Sequence, residues 1–250
     1  MNESRKTAIV TGGSGAIGGE ICRRLAADGF NVVVHYGSDL SAAERVVEAI
    51  NHNQRKFGSG QAIFAHADVR DELEVNRLFD ETSQRFGGVD VVVANAGTIC
   101  SNPIADFSLA EFDNLLSVNL RGAFLTIRQA ARQVRENGRI IFVSSQLAER
   151  PRPGTGVYSA TKAAIDAMLV SLSREVGSRG ISVNSVRPGA TSPGMVDQRS
   201  DAERQSFAEL SAFSRLGTPT DIAAVVSFLA SSEAGWITGQ HLRADGGMSN

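Results

Sequence analysis

Seven short apolar runs, most of them rich in β-branched residues, are the feature that most restricts the fold of this chain. They are TAIV (7–10), NVVVH (31–35), AIFAH (62–66), VDVVVAN (89–95), RIIFVS (139–144), ISVNSV (181–186) and QHLRA (240–244). Longer stretches with apolar residues at helical spacing lie between most of them. One carries Ile21, Cys22, Leu25 and Ala26 on a single face and stops at Gly29. Two more open on the capping residues Ser41 and Asp71. Near-continuous hydrophobic strands that alternate with helices predict an α/β fold, a parallel sheet covered on both faces. Right-handed crossovers make it doubly wound, a three-layer αβα sandwich of about seven strands. With 250 residues and 42% hydrophobic content, a single domain over 1–250 is expected. One segment breaks the rhythm. Residues 190–215 are polar and loop-like, with a short helix expected near 201–212. A long connection of this kind is either a lid over a site or a surface excursion.

Several classes of function are set aside by composition. A formal net charge of −2 asks for neither nucleic acid nor an anionic membrane. No apolar run reaches the eighteen or so residues of a membrane span. The opening residues run into the first strand with no apolar signal core. Cys22 and Cys100 have no paired or metal-ligand spacing, so both read as free thiols of a reducing cytoplasm. The four histidines are scattered, and no metal site is expected.

The first strand runs directly into a glycine-rich turn and a helix, TAIVTGGSGAIGGEICRRLA. Gly13, Gly15 and Gly18 form G-x-G-x-x-G at the start of a βαβ unit, the placement of a dinucleotide-binding turn in a Rossmann-type fold. Glycine lets backbone N–H groups approach a pyrophosphate, and the helix directs its positive end at that anion. Further along, Tyr158 stands four residues before Lys162 in GVYSATKAAID. On a helix the two side chains share one face. They are either a snorkelling surface pair or an acid–base pair in which the ammonium lowers the phenol's pKa.

The glycine motif also reads T-G-x-x-x-A-I-G over Thr11–Gly18, and here the sequence resembles the short-chain dehydrogenase/reductase family. That family usually has glycine where Ala16 stands. The resemblance covers essentially the whole chain and extends to 3-oxoacyl-carrier-protein-reductase-like members of the family. It implies that Gly12, Gly13, Ser14, Gly15, Ala16, Ile17 and Gly18 hold the cofactor. Asp68 and Val69 look like the pair that brackets adenine. Asn95, Ala96 and Gly97 form the NAG that closes over the adenosine ribose. Pro188 and Gly189 resemble the nicotinamide-side turn. The family's carboxamide threonine, four residues after that glycine, is Pro193 here, and Thr191 lies two residues earlier.

The resemblance also implies a catalytic set. Asn119 matches the family's helix asparagine, and Ser145 stands thirteen residues before Tyr158, as the family's serine does. Tyr158 then passes a proton to a carbonyl oxygen while nicotinamide passes a hydride to the carbon, or the reverse. Ser145 holds the substrate oxygen, Lys162 binds the ribose hydroxyls and favours the phenolate, and Asn119 holds a relay water. A free phenol, with a pKa of about 10, is a poor base at neutral pH without such help.

For the cofactor, an acid after the second strand would select NAD. Tyr36, Gly37 and Ser38 occupy that place and would not repel a 2′-phosphate, so NADPH is favoured, with NADH as the alternative. Gly15, where many NADPH-dependent members carry a basic residue, weighs the other way, and Asp39 is read as the next helix cap. The substrate is expected to be a small carbonyl or alcohol compound: a 3-oxoacyl thioester, or a sugar, steroid or small ketone. Arg150 and Arg152 read as solvated loop residues rather than contacts to an acidic group. Arg128, Arg132, Arg135 and Arg139 are spaced like a helical stripe that would suit an acyl carrier protein, although a solvated or subunit-facing side is preferred. A nucleotide-sensing regulator of the same fold is the rival class; such relatives typically lose the Tyr–Lys pair. Finally, the resemblance suggests a homotetramer that pairs the helix around Asn119–Arg135 with the one carrying Tyr158. The latter is apolar over much of its girth, at Ala164, Ile165, Met168, Leu169, Leu172 and Val176.

Overall fold

The computed structural model describes residues 5–57 and 59–249. Its seven strands are β1 (Thr7–Val10), β2 (Asn31–Tyr36), β3 (Ala62–His66), β4 (Val89–Ala94), β5 (Val134–Val143), β6 (Ser182–Pro188) and β7 (His241–Ala244). They form one sheet in the order β3-β2-β1-β4-β5-β6-β7, and every pairing is parallel. The helices are α1 (Ala16–Ala27), α2 (Leu40–Phe57), α3 (Glu72–Phe86), α4 (Leu109–Leu116), α5 (Ala123–Gln133), α6 (Gly156–Glu175), α7 (Asp201–Leu210) and α8 (Pro219–Ala230).

The β-branched runs fall in the middle of the sheet because both of its faces are covered. One core packs Val32, Val34, Val91 and Val93 against Ile21 and Leu25 of α1, Val46 of α2 and Ile222 of α8. The other packs Ile9, Val33, Val92 and Ile140 against Phe79 of α3, Leu125 of α5 and Ile165 and Leu169 of α6. Alternate residues of one strand therefore feed opposite cores, as the two-residue period of a strand requires. The chain reverses its direction of travel across the sheet between β1 and β4. That switch point opens a crevice at the carboxyl ends of the strands, where ligands bind in such folds.

One expectation is corrected. The arginines expected as one helical stripe are divided, because α5 ends at Gln133 and Val134 already pairs with Val89. Only Arg128 and Arg132 lie on the helix. Arg135 pairs with Asp90, and Arg139 is buried on β5 with its guanidinium on the Ser231 carbonyl. The bulge between them holds Asn137 at φ 61°. The periodicity continued past the helix end only because a three- or four-residue spacing carries no mark of the bulge. Among residues 190–215, the short helix is α7, entered through a 3₁₀ turn at Met195–Gln198.

Candidate active site

The glycine turn is held open by what its glycines lack. Gly12 has φ +65°, and a Cβ on Gly18 would lie 2.2 Å from the Gly12 carbonyl oxygen and 2.6 Å from Asn95 Nδ2. Asn95 Nδ2 donates to the Thr11 and Gly12 carbonyls, while the Asn95 and Ala96 N–H groups donate to Thr11 Oγ1. These bonds clip the end of β4 to the turn. Gly15 caps α1 with no side-chain acceptor, which leaves the first-turn N–H groups for a ligand. Gly13 is turned inward, and a Cβ there would meet Cys22 Sγ and Val34 Cγ1 at 3.1 Å.

Above the switch point lies a cleft of about 740 Å³. Gly12, Ser14, Gly15, Ala16, Ile17, Gly18, Asn95, Ala96, Gly97, Ser145, Tyr158, Lys162, Pro188, Gly189 and Thr191 all line it. Gly13, Tyr36, Gly37, Ser38, Asp68, Val69 and Asn119 do not. Tyr36 is half-buried, edge-on to Phe64 and His66 at the end of β2, and Gly37 and Ser38 beside it are exposed. Asp39 does cap α2, through Oδ1 and the Ala42 N–H. The Asp68 carboxylate takes Arg70 Nε and Nη2, which hold it below the usual carboxylate range. Val69 is buried against Gly122. No Asp or Glu lines the cleft among the described residues. A long anion-tolerant groove, free N–H groups at a helix start and a lysine at its inner end fit a dinucleotide.

Ser145, Tyr158 and Lys162 meet in that groove. Ser145 lies two residues past the end of β5 and caps the 3₁₀ turn Gln146–Ala148, its Oγ accepting the Leu147 N–H at 3.1 Å. Tyr158 and Lys162 lie one turn apart on α6, both buried. Lys162 Nζ donates to the Val143 carbonyl at 2.9 Å and lies 4.7 Å from the centre of the Phe142 ring. Asn119 is fully buried where the helix widens to a π turn over Ser117–Gly122. Its amide is committed to Thr98, accepting from the N–H and donating to the carbonyl, both at 2.8 Å. A Cβ on Gly97 would lie 3.2 Å from Asn119 Oδ1 and 3.5 Å from Lys162 Nζ, so a side chain there would crowd the Asn119 amide.

The acid–base expectation changes in one respect. Burial pushes the Tyr158 phenol up to about 12, with the Ser145 hydrogen bond opposing it. Lys162, whose own pKa burial lowers to about 8, is not among the groups that bring the phenol down. Its Nζ lies 5.9 Å from the centre of the phenol ring and is turned to Val143. Desolvation outweighs the Ser145 hydrogen bond, and Tyr158 holds its proton at neutral pH.

Two residues escaped sequence reasoning. His35 is buried under the glycine turn, with Nδ1 accepting from the Gly12 N–H at 3.0 Å and Nε2 at 2.9 Å from the Ala67 carbonyl. Nε2 therefore carries the proton, and burial keeps the ring neutral. Asp166, one turn past Lys162, is buried and accepts from Ser144 Oγ at 3.0 Å and Arg187 Nε at 2.9 Å. It ties the segment before Ser145, the helix of Tyr158 and the strand leading to Pro188 into one network. Its position four residues after Lys162 was the only available signal.

The family model described as enoyl-(acyl carrier protein) reductase matches residues 12–249. A 3-oxoacyl-(acyl-carrier-protein) reductase FabG from Staphylococcus aureus is 39% identical over 246 residues, covering 97% of this chain and 98% of the relative. A dehydrogenase/reductase from Sinorhizobium meliloti superposes with a TM-score of 0.92 at 39% identity, over 98% of this chain and 95% of its own. A short chain dehydrogenase from Burkholderia cenocepacia, solved in complex with NADP, gives 0.88 at 36% identity over the full length of both chains. The match runs from the glycine turn to the last strand and takes in every residue of the cleft, so this chain belongs to the short-chain dehydrogenase/reductase family of oxidoreductases.

Proposed function

We propose that this protein reduces a ketone to a secondary alcohol, with NADPH preferred over NADH. The observation that carries the proposal is the convergence of Ser145, Tyr158 and Lys162 on the groove that begins at the glycine turn. Bound there, the nicotinamide supplies the hydride. Ser145 positions the substrate oxygen by a hydrogen bond. Tyr158 gives that oxygen its proton, and a phenol protonated at neutral pH is the form a reduction requires. Lys162 holds the ribose, and Asn119 fixes Thr98 and with it the floor beside Gly97.

NADPH is supported by the absence of a free carboxylate at the end of β2 among the described residues. Tyr36, Gly37 and Ser38 stand there, and Asp39 is committed to its helix. The Burkholderia relative was solved with NADP and the Staphylococcus relative is named for 3-oxoacyl reduction, which supports a ketone substrate. Division of the arginine stripe removes the main support for docking an acyl carrier protein, so a free small molecule is the favoured substrate. A panel of ketones and alcohols followed at the nicotinamide absorbance, with both cofactors in both oxidation states, tests the proposal. Turnover above buffer with NADPH is expected; cofactor binding without turnover anywhere in the panel would instead identify a nucleotide-sensing regulator.

We also propose a homotetramer. Leu116, Leu120, Phe124 and Met168 line a shallow apolar hollow where α4, α5 and α6 meet, and Phe124 and Met168 are exposed. The other side of α6, Ile165 and Leu169, is already covered by the sheet. Light scattering should return about four times the 26.5 kDa chain mass. A stable monomer would refute the assembly.

A further inference from the structure

The cleft carries two cationic side chains besides the lysine of the reacting centre. Among the described residues that line it, the charged side chains are Arg152, Lys162 and Arg199. Lys162 belongs to the centre itself. The arginines come from two different segments: Arg152 from the loop between Ser145 and α6, and Arg199 from just beyond the 3₁₀ turn Met195–Gln198. Both are half-buried.

Arg152 is held in place with no ion-pair partner among the described residues, and Arg199 with a single long one, to Glu203. The Arg152 guanidinium lies over the Phe207 ring at 5.2 Å and has no carboxylate partner among the described residues. Arg199 Nη2 donates to Ser101 Oγ at 2.9 Å. The nearest acid to Arg199 is Glu203, with Oε1 at 3.7 Å from Nη1, and the other Glu203 oxygen is committed to the Ser200 cap of α7. Both guanidinium groups line one cleft and are half-buried, so each has lost part of its hydration. An anion bound in reach of them would offset that loss with charge-assisted hydrogen bonds. Each retains N–H donors in the planar fork that matches an oxyanion. The lining also includes Ile99, Leu147, Met195 and Val196, which are apolar.

We infer that Arg152 and Arg199 form an anion subsite, and that the substrate is an apolar ketone bearing a carboxylate or similar oxyanion beyond its carbonyl. The inference rests on the carbonyl-reductase reading of the same cleft and adds the substrate's charge to it. It also gives the long connection a task. Arg199 and Phe207 both come from residues 190–215, so the anion would bridge that segment to the loop that holds Arg152.

The test uses matched sets built on several aliphatic and aromatic skeletons: a keto carboxylate, its methyl ester and the corresponding keto phosphate. Wild type, Arg152→Met and Arg199→Met are compared by kcat/KM with NADPH saturating. Wild type should prefer an anionic member over its ester by about tenfold or more, the worth of one or two charge-assisted hydrogen bonds. Whichever of carboxylate and phosphate is preferred identifies the anion. Either variant should reduce the anion-to-ester ratio about tenfold or more. An unchanged ratio, even if both compounds slow, would overturn the proposal and leave the arginines as latches of the connection. A weakened NADPH affinity in the variants with an unchanged ratio would assign them to the cofactor and overturn it equally. If no member of any set is reduced, the carbonyl-reductase reading fails separately. Isothermal titration of the same compounds into wild type and variants then decides the subsite, which stands only if the anionic members bind and the variants lose them.

Discussion

Gly18→Ala tests whether the glycine turn is fixed by a close contact or only by backbone freedom. The added methyl would lie 2.2 Å from the Gly12 carbonyl oxygen, 2.6 Å from Asn95 Nδ2 and 2.9 Å from the Gly12 carbonyl carbon. The shortest of these is about 1 Å inside ordinary contact. None of the three partners is a free side-chain end. Gly12 is tied to His35, and Asn95 to Thr11 and Gly12. Relief requires α1 to move away from the turn, and overpacking of this kind costs about 1–3 kcal/mol. For a domain of this size each kcal/mol lowers Tm by about 2–4 °C, so a fall of about 2–12 °C is expected. The same movement withdraws the α1 N–H groups from the pyrophosphate, and NADPH affinity should drop about tenfold or more. Gly15→Ala is the internal comparison. Gly15 has φ −77°, and a Cβ there would sit 3.4 Å from the Gly12 oxygen, an ordinary contact. It should change stability by less than about 0.5 kcal/mol. Thermal melting and fluorescence titration with NADPH read both quantities. A Gly18→Ala protein that melts and binds as wild type does, or a Gly15→Ala protein as damaged as it, would refute the reasoning.

Three further outcomes are expected. Tyr36→Asp should move the ratio of kcat/KM from NADPH towards NADH, because a carboxylate at the end of β2 repels a 2′-phosphate and accepts from a 2′-hydroxyl; a wild type that already prefers NADH would contradict it. Lys162→Ala should lower turnover and cofactor affinity together, measured by steady-state kinetics and titration, and a loss of turnover alone would deny Lys162 its ribose contact. Burial holds the pKa of His35 below its ordinary 6.5, so the unfolded chain takes up a proton first as pH falls. Stability is therefore complete above about pH 6.5 and declines as pH drops towards the folded-state pKa. Burial of His241 acts in the same sense, whereas Asp221 and Asp68, whose pKa values are lowered, release their contribution only at more acid pH. The Tm of wild type should fall between about pH 7.5 and about pH 5.5, and that of His35→Gln should fall less; equal slopes would remove His35 from the account.

What was legible in the sequence is what short-range pattern determines. Val32–Val34 and Val91–Val93 read as buried strands because both faces of a central parallel strand are covered, and all seven expected runs lie in the sheet. The glycine turn was legible because its backbone requirement fixes residue type and spacing together. Most of the expected cofactor residues line the cleft for the same reason: they stand at strand ends, which a parallel sheet gathers on one edge. Features that depend on burial or on distant partners were not legible. The phenol of Tyr158 is subject to two opposed effects, and only the structure shows that desolvation outweighs the Ser145 hydrogen bond. The roles of Arg152 and Arg199 depend on three loops meeting at one cleft. A loop arginine in isolation reads as solvated, and only the structure places the half-buried Arg152 on the wall of the cleft. His35 and Asp166 each join segments more than twenty residues away, beyond any local periodicity.

The central claim, that Tyr158 delivers the proton in ketone reduction, is tested most directly by Tyr158→Phe. The substitution keeps the buried ring and removes only the phenol oxygen, so the fold and the Lys162 contact with Val143 should remain. The measurement is kcat for the best ketone of the panel, taken with the NADPH dissociation constant of the same preparation. A fall in kcat of about 10²–10⁴ at an unchanged dissociation constant is predicted, the usual worth of a positioned general acid. Turnover within a few-fold of wild type at full cofactor occupancy would contradict the account.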